Sequence, residues 1–277
     1  AALELDPGCA PALAGVAAVN DGPPEPEDAI GTLEGSLPTL AGAARADALE
    51  QIVALLPASE SARARVLLET LLREFPERRA PLEQLIALER SAANMTRVGE
   101  LQRALFALAR DPAERLRLAL EACTLQLDEA GEVAAAEYWC EQANELAPES
   151  AAVQKLRLRV HRRTANTPRV LEALEKLVEI EGDSPMRLLE VAVLHEREGH
   201  AERAIEWLER LLASDPYDDE SLAILERCLA RLGRHGERAE VLERRAAAAN
   251  SNEAAADVIV ELGHLHLNAL ADPAGAE

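Results

Sequence analysis

Residues 185–216 read PMRLLEVAVLHEREGHAERAIEWLERLLASDP. Leu188, Val191, Ala192 and His195 fall at i, i+3, i+4 and i+7, one stripe of a 3.6-residue helix. Gly199 interrupts the pattern, and Ala204 and Leu208 resume it until Pro216. The stretch predicts two antiparallel amphipathic helices about a glycine turn, opened by Ser184-Pro185 as N-cap and first helical residue. Small residues, Ala192 and Ala204, let the two helices approach closely. Neither helix can bury its stripe within one pair, so neighbouring pairs must stack.

Further copies are present. Helix-like runs end at Pro7, Pro76, Pro148 and Pro216, at separations of 69, 72 and 68 residues, twice a period near 34. Trp139 and Trp207 are also 68 apart, each nine residues before its proline. A second copy reads Leu120, Cys123, Thr124, Leu127, Gly131, Ala136, Cys140, Ala143 and Pro148. A weaker third runs from Ala48 through Leu55, Ala64 and Leu68 to Pro76. Intervening stretches at 79–114, 151–184 and 219–252 are more degenerate, and Ile259, Leu262, Gly263 and His266 restore the first-helix pattern.

Period and pattern resemble the tetratricopeptide repeat (TPR) family, with its W-x₂-L-G-x₂-Y, A-x₃-F and closing proline. The departure is in the aromatics, since Leu, Ala, Val, Cys or His stand where Trp, Tyr and Phe are expected. The resemblance implies an all-α protein, an α-solenoid (superhelix) of stacked antiparallel helix pairs of about 34 residues. Residues 1–44 form a partial, degenerate repeat: Asp21-Gly-Pro-Pro-Glu-Pro26 is a loop, and Gly31, Gly35, Pro38 and Gly42 weaken helix beyond it. Residues 45–277 form one continuous array of about six repeats plus a truncated last one, with no separate catalytic domain. Ala1–Asp6 reads as the tail of a second helix and Asp272–Glu277 as the opening of another, so the chain reads as an internal piece of a longer array.

Composition supports this and excludes alternatives. The chain has 277 residues, 55 of them Ala and 45 Leu, and only six aromatic residues. Ala, Leu, Glu and Arg favour helix, whereas strands lean on aromatic and β-branched residues, so a β-sandwich, barrel or parallel-sheet enzyme is excluded. The net charge of −21 is spread along the chain and repels phosphate backbones and anionic lipid, which argues against nucleic acid or membrane partners. Basic residues are 27 Arg and 2 Lys, which with the Ala excess suggests a GC-rich, bacterial genome. Cys9, Cys123, Cys140 and Cys228 show no C-x-x-C spacing and read as core thiols in a reducing, cytoplasmic compartment. The uncharged run from Pro7 to Asn20 is too short to span a bilayer and lacks the basic flank of a signal peptide.

No constellation for catalysis, metal or cofactor emerges. His195-Glu-Arg-Glu-Gly-His200 departs from H-E-x-x-H by one residue; at i, i+5 two side chains diverge by about 140° on a helix. His264 and His266 point to opposite sides, and two thiols such as Cys123 and Cys140 make no zinc site without further ligands. The run from Lys155 to Arg163 holds five formal positive charges; it is either an anion site or a helix neutralised by acidic neighbours.

The TPR resemblance further implies a concave groove lined by first helices, for a protein or peptide partner. Residues off the packing stripe are Leu118, Glu121, Leu125 and Asp128; Gln154, Leu158, His161 and Arg162; and Met186, Leu189, Val193 and Glu196. Adjacent first helices cover them in one reading, and an extended segment or amphipathic helix covers them in the other. Some family members hold a chaperone's C-terminal carboxylate with groove Lys, Arg and Asn; Glu121, Leu125, Leu189 and Val193 do not suit that. The expected function is a non-catalytic interaction scaffold. The alternatives are a regulatory or docking arm of a larger enzyme, and a self-associating architectural spacer.

Overall fold

The computed structural model describes residues 26–249 and 251–270, which contain fourteen α-helices and no strand. They are α1 (Pro26–Ser36), α2 (Gly42–Leu55), α3 (Ser61–Glu74), α4 (Arg79–Ser91), α5 (Met95–Leu108), α6 (Pro112–Leu125) and α7 (Val133–Leu146). Next come α8 (Ala151–Arg163), α9 (Thr167–Glu181), α10 (Pro185–Arg197), α11 (Ala201–Leu212), α12 (Asp219–Leu232), α13 (His235–Ala248) and α14 (Asn252–Leu265). Short π turns follow α6 (Gln126–Ala130) and α14 (His266–Leu270). The terminal stretches 1–6 and 272–277, Cys9 and the loop before Pro26 lie outside the described residues.

The chain divides into two compact units, Ala1–Ala135 and Ala136–Glu277. Within each, a helix packs on the helices before and after it, as from α2 to α5 and from α8 to α14. Connections as short as Glu198-Gly199-His200 reverse the chain between α10 and α11, so the pairs are antiparallel. This is the α-solenoid plan, in which stability comes from contacts with the next element and not from one deep core.

The local code for helix starts is partly as expected. Asp111 caps α6 by accepting from the Ala113 amide, with Pro112 first in the helix. At α9 the cap is Asn166, directly before Thr167-Pro168, and its side chain accepts from Arg169 N–H at 3.3 Å. Ser184 precedes α10 without a side-chain cap bond.

The repeat is written in the backbone as well. Gly131, Ala165, Gly199 and Gly233 lie 34 residues apart and all have positive φ, at 68°, 51°, 84° and 70°. Each ends a first helix. The following amide turns back to the last helical turn: Asn166 to the His161 carbonyl at 3.0 Å, His200 to His195 at 2.9 Å, Arg234 to Leu229 at 3.0 Å. This is the left-handed C-cap, and it satisfies carbonyls the helix leaves open.

The stripe of residues 185–216 is the core. Leu188, Val191, Ala192, His195, Ala204 and Leu208 are all buried. Trp207 reaches three apolar clusters, among them Val170, Leu171 and Leu174 of α9 and Val178 with Leu188 and Leu211. Three details differ from expectation. Leu55 and Ile259 are exposed, because α2 and α14 pack through neighbouring residues instead: Ala48 and Ile52 in α2, Val258, Leu262 and Leu265 in α14. Thr124 is exposed while Ala119 and Ala122 are buried in α6. Finally, α1 forms despite Gly31 and Gly35, since Ile30 and Leu33 bury against Ala48 and Ile52 and packing outweighs intrinsic propensity.

Ala165 occupies the turn place that glycine holds in its neighbours, and a left-handed Ala costs about 1 kcal/mol relative to Gly. Ala165→Gly is therefore predicted to raise stability by about 1 kcal/mol. Gly199→Ala, with nothing within 4 Å of the added carbon, should lower it by a similar amount through the backbone alone. Urea unfolding of both variants checks the pair of signs.

Candidate functional site

In the first unit, α4 and α6 are first helices and α5 lies between them in sequence. A pocket of about 390 Å³ opens there, lined by Glu83 and Ile86 of α4, Gln102 and Leu105 of α5, and Arg117, Leu118 and Glu121 of α6. Leu118 and Glu121 are thus brought together with groups that sequence spacing did not single out. Arg117 Nη1 donates to both Glu121 carboxylate oxygens at 2.8 and 3.0 Å, and Gln102 Oε1 accepts from Gln126 Nε2 at 3.3 Å. The arrangement is an apolar floor with a polar rim able to donate and accept. Leu125 is half-buried on α6 and does not line this pocket. Ile86 was missed because it sits one place beside the buried Leu85 in a degenerate repeat.

In the second unit three off-stripe apolar residues, Leu158, Leu189 and Val193, are spent on packing. Leu189 and Val193 lie against the α11–α12 cluster of Ala204, Leu208, Leu222 and Leu225. Leu158 lies against Val170, Leu174 and Val191. Met186 is 75% exposed. Glu196 is buried and receives Arg227 Nε and Nη2 at 2.9 and 3.0 Å, while Arg231 Nη1 donates to its backbone carbonyl at 2.9 Å. The first-helix face between α10 and α12 is therefore closed by an apolar seam and an ion pair. The basic run of α8 meets acidic neighbours: Lys155 pairs with Glu181 at 2.5 Å, Arg157 with Glu172 at 3.2 Å, Arg162 with Glu190 at 2.5 Å.

Buried polar groups mark the junction from one pair to the next. His195 of α10 meets Glu175 of α9 at 2.9 Å. One period earlier, His161 of α8 lies 3.8 Å from Glu141 and 3.7 Å from Glu137 of α7. Both His161 ring nitrogens are buried without a hydrogen bond among the described residues. Gln154, also buried, donates to Asn144 at 3.0 Å and to the Pro148 carbonyl at 2.6 Å, and it accepts from the buried Arg157 at 3.0 Å. The 34-residue spacing of His161 and His195, and of Glu141 and Glu175, was a readable signal for this junction. Burial first, then the Arg157 guanidinium, hold the His161 imidazole below its ordinary value of 6.5, against the opposing pull of Glu141 and Glu137. Hydrogen bonds from Arg227 hold the Glu196 carboxyl below its ordinary 4.5. Burial pushes the Cys228 thiol up, away from the reactive thiolate.

His200 is exposed at the start of α11 with its ring centroid 5.9 Å from that of His195. Among the described residues, no group of three His, Cys, Asp or Glu side chains is placed to hold a metal. No described helix is long and apolar enough to cross a membrane.

No protein-family model and no curated protein matches the chain. Solved structures do. The structure of Naa15/Naa10 bound to HypK-THB superposes with a TM-score of 0.54 at 13% identity, over 91% of this chain and 36% of that one. The 34-residue recurrence of turns and first-helix stripes, with this likeness, decides the architecture. The fold is TPR-like. Also similar are YrrB, described as a TPR protein with an unusual peptide-binding site (TM-score 0.41, 14% identity, 69% of this chain and 96% of that chain), and a tetratricopeptide repeat protein from Parabacteroides merdae (0.39, 11%, 86% and 91%).

For this TPR-like chain, acid should act on the junctions in two stages. The unfolded chain protonates His161 below pH 6.5 while the fold resists it, so stability is lost as pH falls below 6.5 toward the depressed folded value. Glu196 contributes above its ordinary 4.5 and is lost as pH falls through its lower folded value. Urea midpoints at successive pH values should show His161→Gln flattening the first loss only and Glu196→Gln the second only.

Proposed function

We propose that the chain is a non-catalytic protein-interaction scaffold that takes a short peptide segment of a protein partner on its first-helix face. The observation that carries this reading is the open pocket between α4, α5 and α6. It presents Ile86, Leu105 and Leu118 to an apolar side chain, and Gln102, Arg117 and Glu121 to the polar groups of the segment around it. Ligand sites of this kind are concave, mostly apolar and fixed by a few polar groups. The groove residues Leu118 and Glu121 belong to it directly. The other first-helix positions lie outside this pocket: Leu125 is half-buried beside it on α6, while in the second unit Leu158, Leu189 and Val193 are packed, His161 is buried, Arg162 pairs with Glu190 and Met186 is exposed. That YrrB carries a peptide-binding site on a TPR fold agrees with the reading without identifying the segment.

The test is selection of peptides from a random displayed library on the intact chain. Enriched sequences should carry a recurrent apolar residue. Their affinity should fall at least about tenfold for Ile86→Ser combined with Glu121→Arg, which removes one apolar contact and inverts one rim charge. Circular dichroism of the variant should be unchanged. Equal affinity for the variant would remove this pocket as the site. Leu189→Asp with Val193→Asp is not a usable probe, since both side chains are in the packed seam.

A further inference from the structure

A second groove lies on the opposite kind of surface, between second helices. In the second unit α11 and α13 flank the first helix α12, and a pocket of about 330 Å³ opens between the three. Its floor is Ile205 of α11, Leu225 and Leu229 of α12, and Val241 of α13. Glu209 of α11 and Glu240 of α13 stand exposed on its two walls. These two are 31 residues apart, close to one repeat.

At comparable separations elsewhere, helices meet through opposite charges. Arg45 meets Glu74, Arg63 meets Glu34, Arg162 meets Glu190 and Arg227 meets Glu196, 28 to 31 residues apart. Here Glu209, Glu237 and Glu240 all line one groove, and among the described residues Glu209 and Glu240 make no ion pair or side-chain hydrogen bond. One arginine, Arg244, lines the groove as well, so the lining carries three carboxylates and one guanidinium, and the arginines here have other hydrogen-bond partners. Arg234 forms a two-pronged pair with Glu237, and Arg244 Nη2 donates to the Pro216 carbonyl at 2.6 Å. Arg234 also feels Glu209 and Glu202, so it stands in a field of several acids and neutralises one. The like-charged walls cost repulsion that a cationic occupant relieves, and the apolar floor rewards one that brings aliphatic carbon.

We infer that the α11–α12–α13 groove docks a partner segment carrying an aliphatic side chain flanked by lysine or arginine, separately from the first-helix pocket. The aliphatic group sits on Ile205, Leu225, Leu229 and Val241, and the flanking cations answer Glu209 and Glu240. Charge complementarity selects the occupant, and burial of the anchor holds it.

The probe is a short fluorescein-labelled peptide built of leucine, alanine and lysine, measured by anisotropy at physiological salt on the full chain. Glu209→Lys with Glu240→Lys should weaken it at least about tenfold. Glu198→Lys with Asp257→Lys makes the same change in net charge at exposed positions away from the groove and should leave affinity within about twofold. Replacing the peptide's leucines by serine should also abolish binding. Equal weakening by both double variants would overturn the inference in favour of net charge alone, as would undiminished binding of the serine peptide. No binding, or a self-association of the chain that the Glu209 and Glu240 changes disrupt without peptide, would overturn it too, the latter in favour of a second copy. Ile86→Ser with Glu121→Arg leaves this groove intact, so failure here and failure of the first-helix pocket are read separately.

Discussion

Each helix carries an apolar stripe wider than one partner can cover, and this constraint organises the rest of the molecule. Leu188, Val191 and Ala192 of α10 are completed by α9 on one side and by α11 and α12 on the other. Burial is worth roughly 25 cal/mol per Å² of apolar surface, so the chain gains by presenting the same stripe again one repeat later. The aromatic scarcity is tolerable for the same reason. Alanine and leucine pack closely spaced helices, and Trp207, one of six aromatic residues, is placed where it joins three clusters at once.

The same stacking determines where polar groups go. A charged side chain on the inner edge of one pair must find its partner on the next, since exposed pairs contribute little and buried unpaired charge costs much. Glu196 with Arg227, His195 with Glu175 and Arg162 with Glu190 follow this rule. His161 and the Glu209–Glu240 groove stand outside it. At His161 the imidazole is buried without hydrogen bonds among the described residues, and at Glu209 and Glu240 like charges share a groove. Such departures from local consistency are where function is expected to reside.

Much of this was legible in residue order. Gly199 and Gly131 marked the turns, and the stripe at 188–195 was buried as read. Ala165 was not legible as a turn residue, because alanine is a strong helix former and only the backbone shows its positive φ. Helix α1 was understated for the opposite reason: its glycines are read from sequence, whereas the burial of Ile30 and Leu33 that offsets them depends on α2. The candidate groove was half legible. Spacing put Glu121 and Leu189 in equivalent places, 68 residues apart, yet one lines an open pocket and the other is sealed against α12.

What the sequence determined by itself is therefore the period, the helical class and the stripe, since these depend on composition and on the 3.6-residue turn alone. The tertiary structure decided which off-stripe residues remain open to a partner. That choice turns on whether the next helix brings an aliphatic side chain and an arginine, as α12 does for α10, or leaves a gap, as between α4 and α6. It is a property of two helices in contact, and no single stretch of sequence contains it.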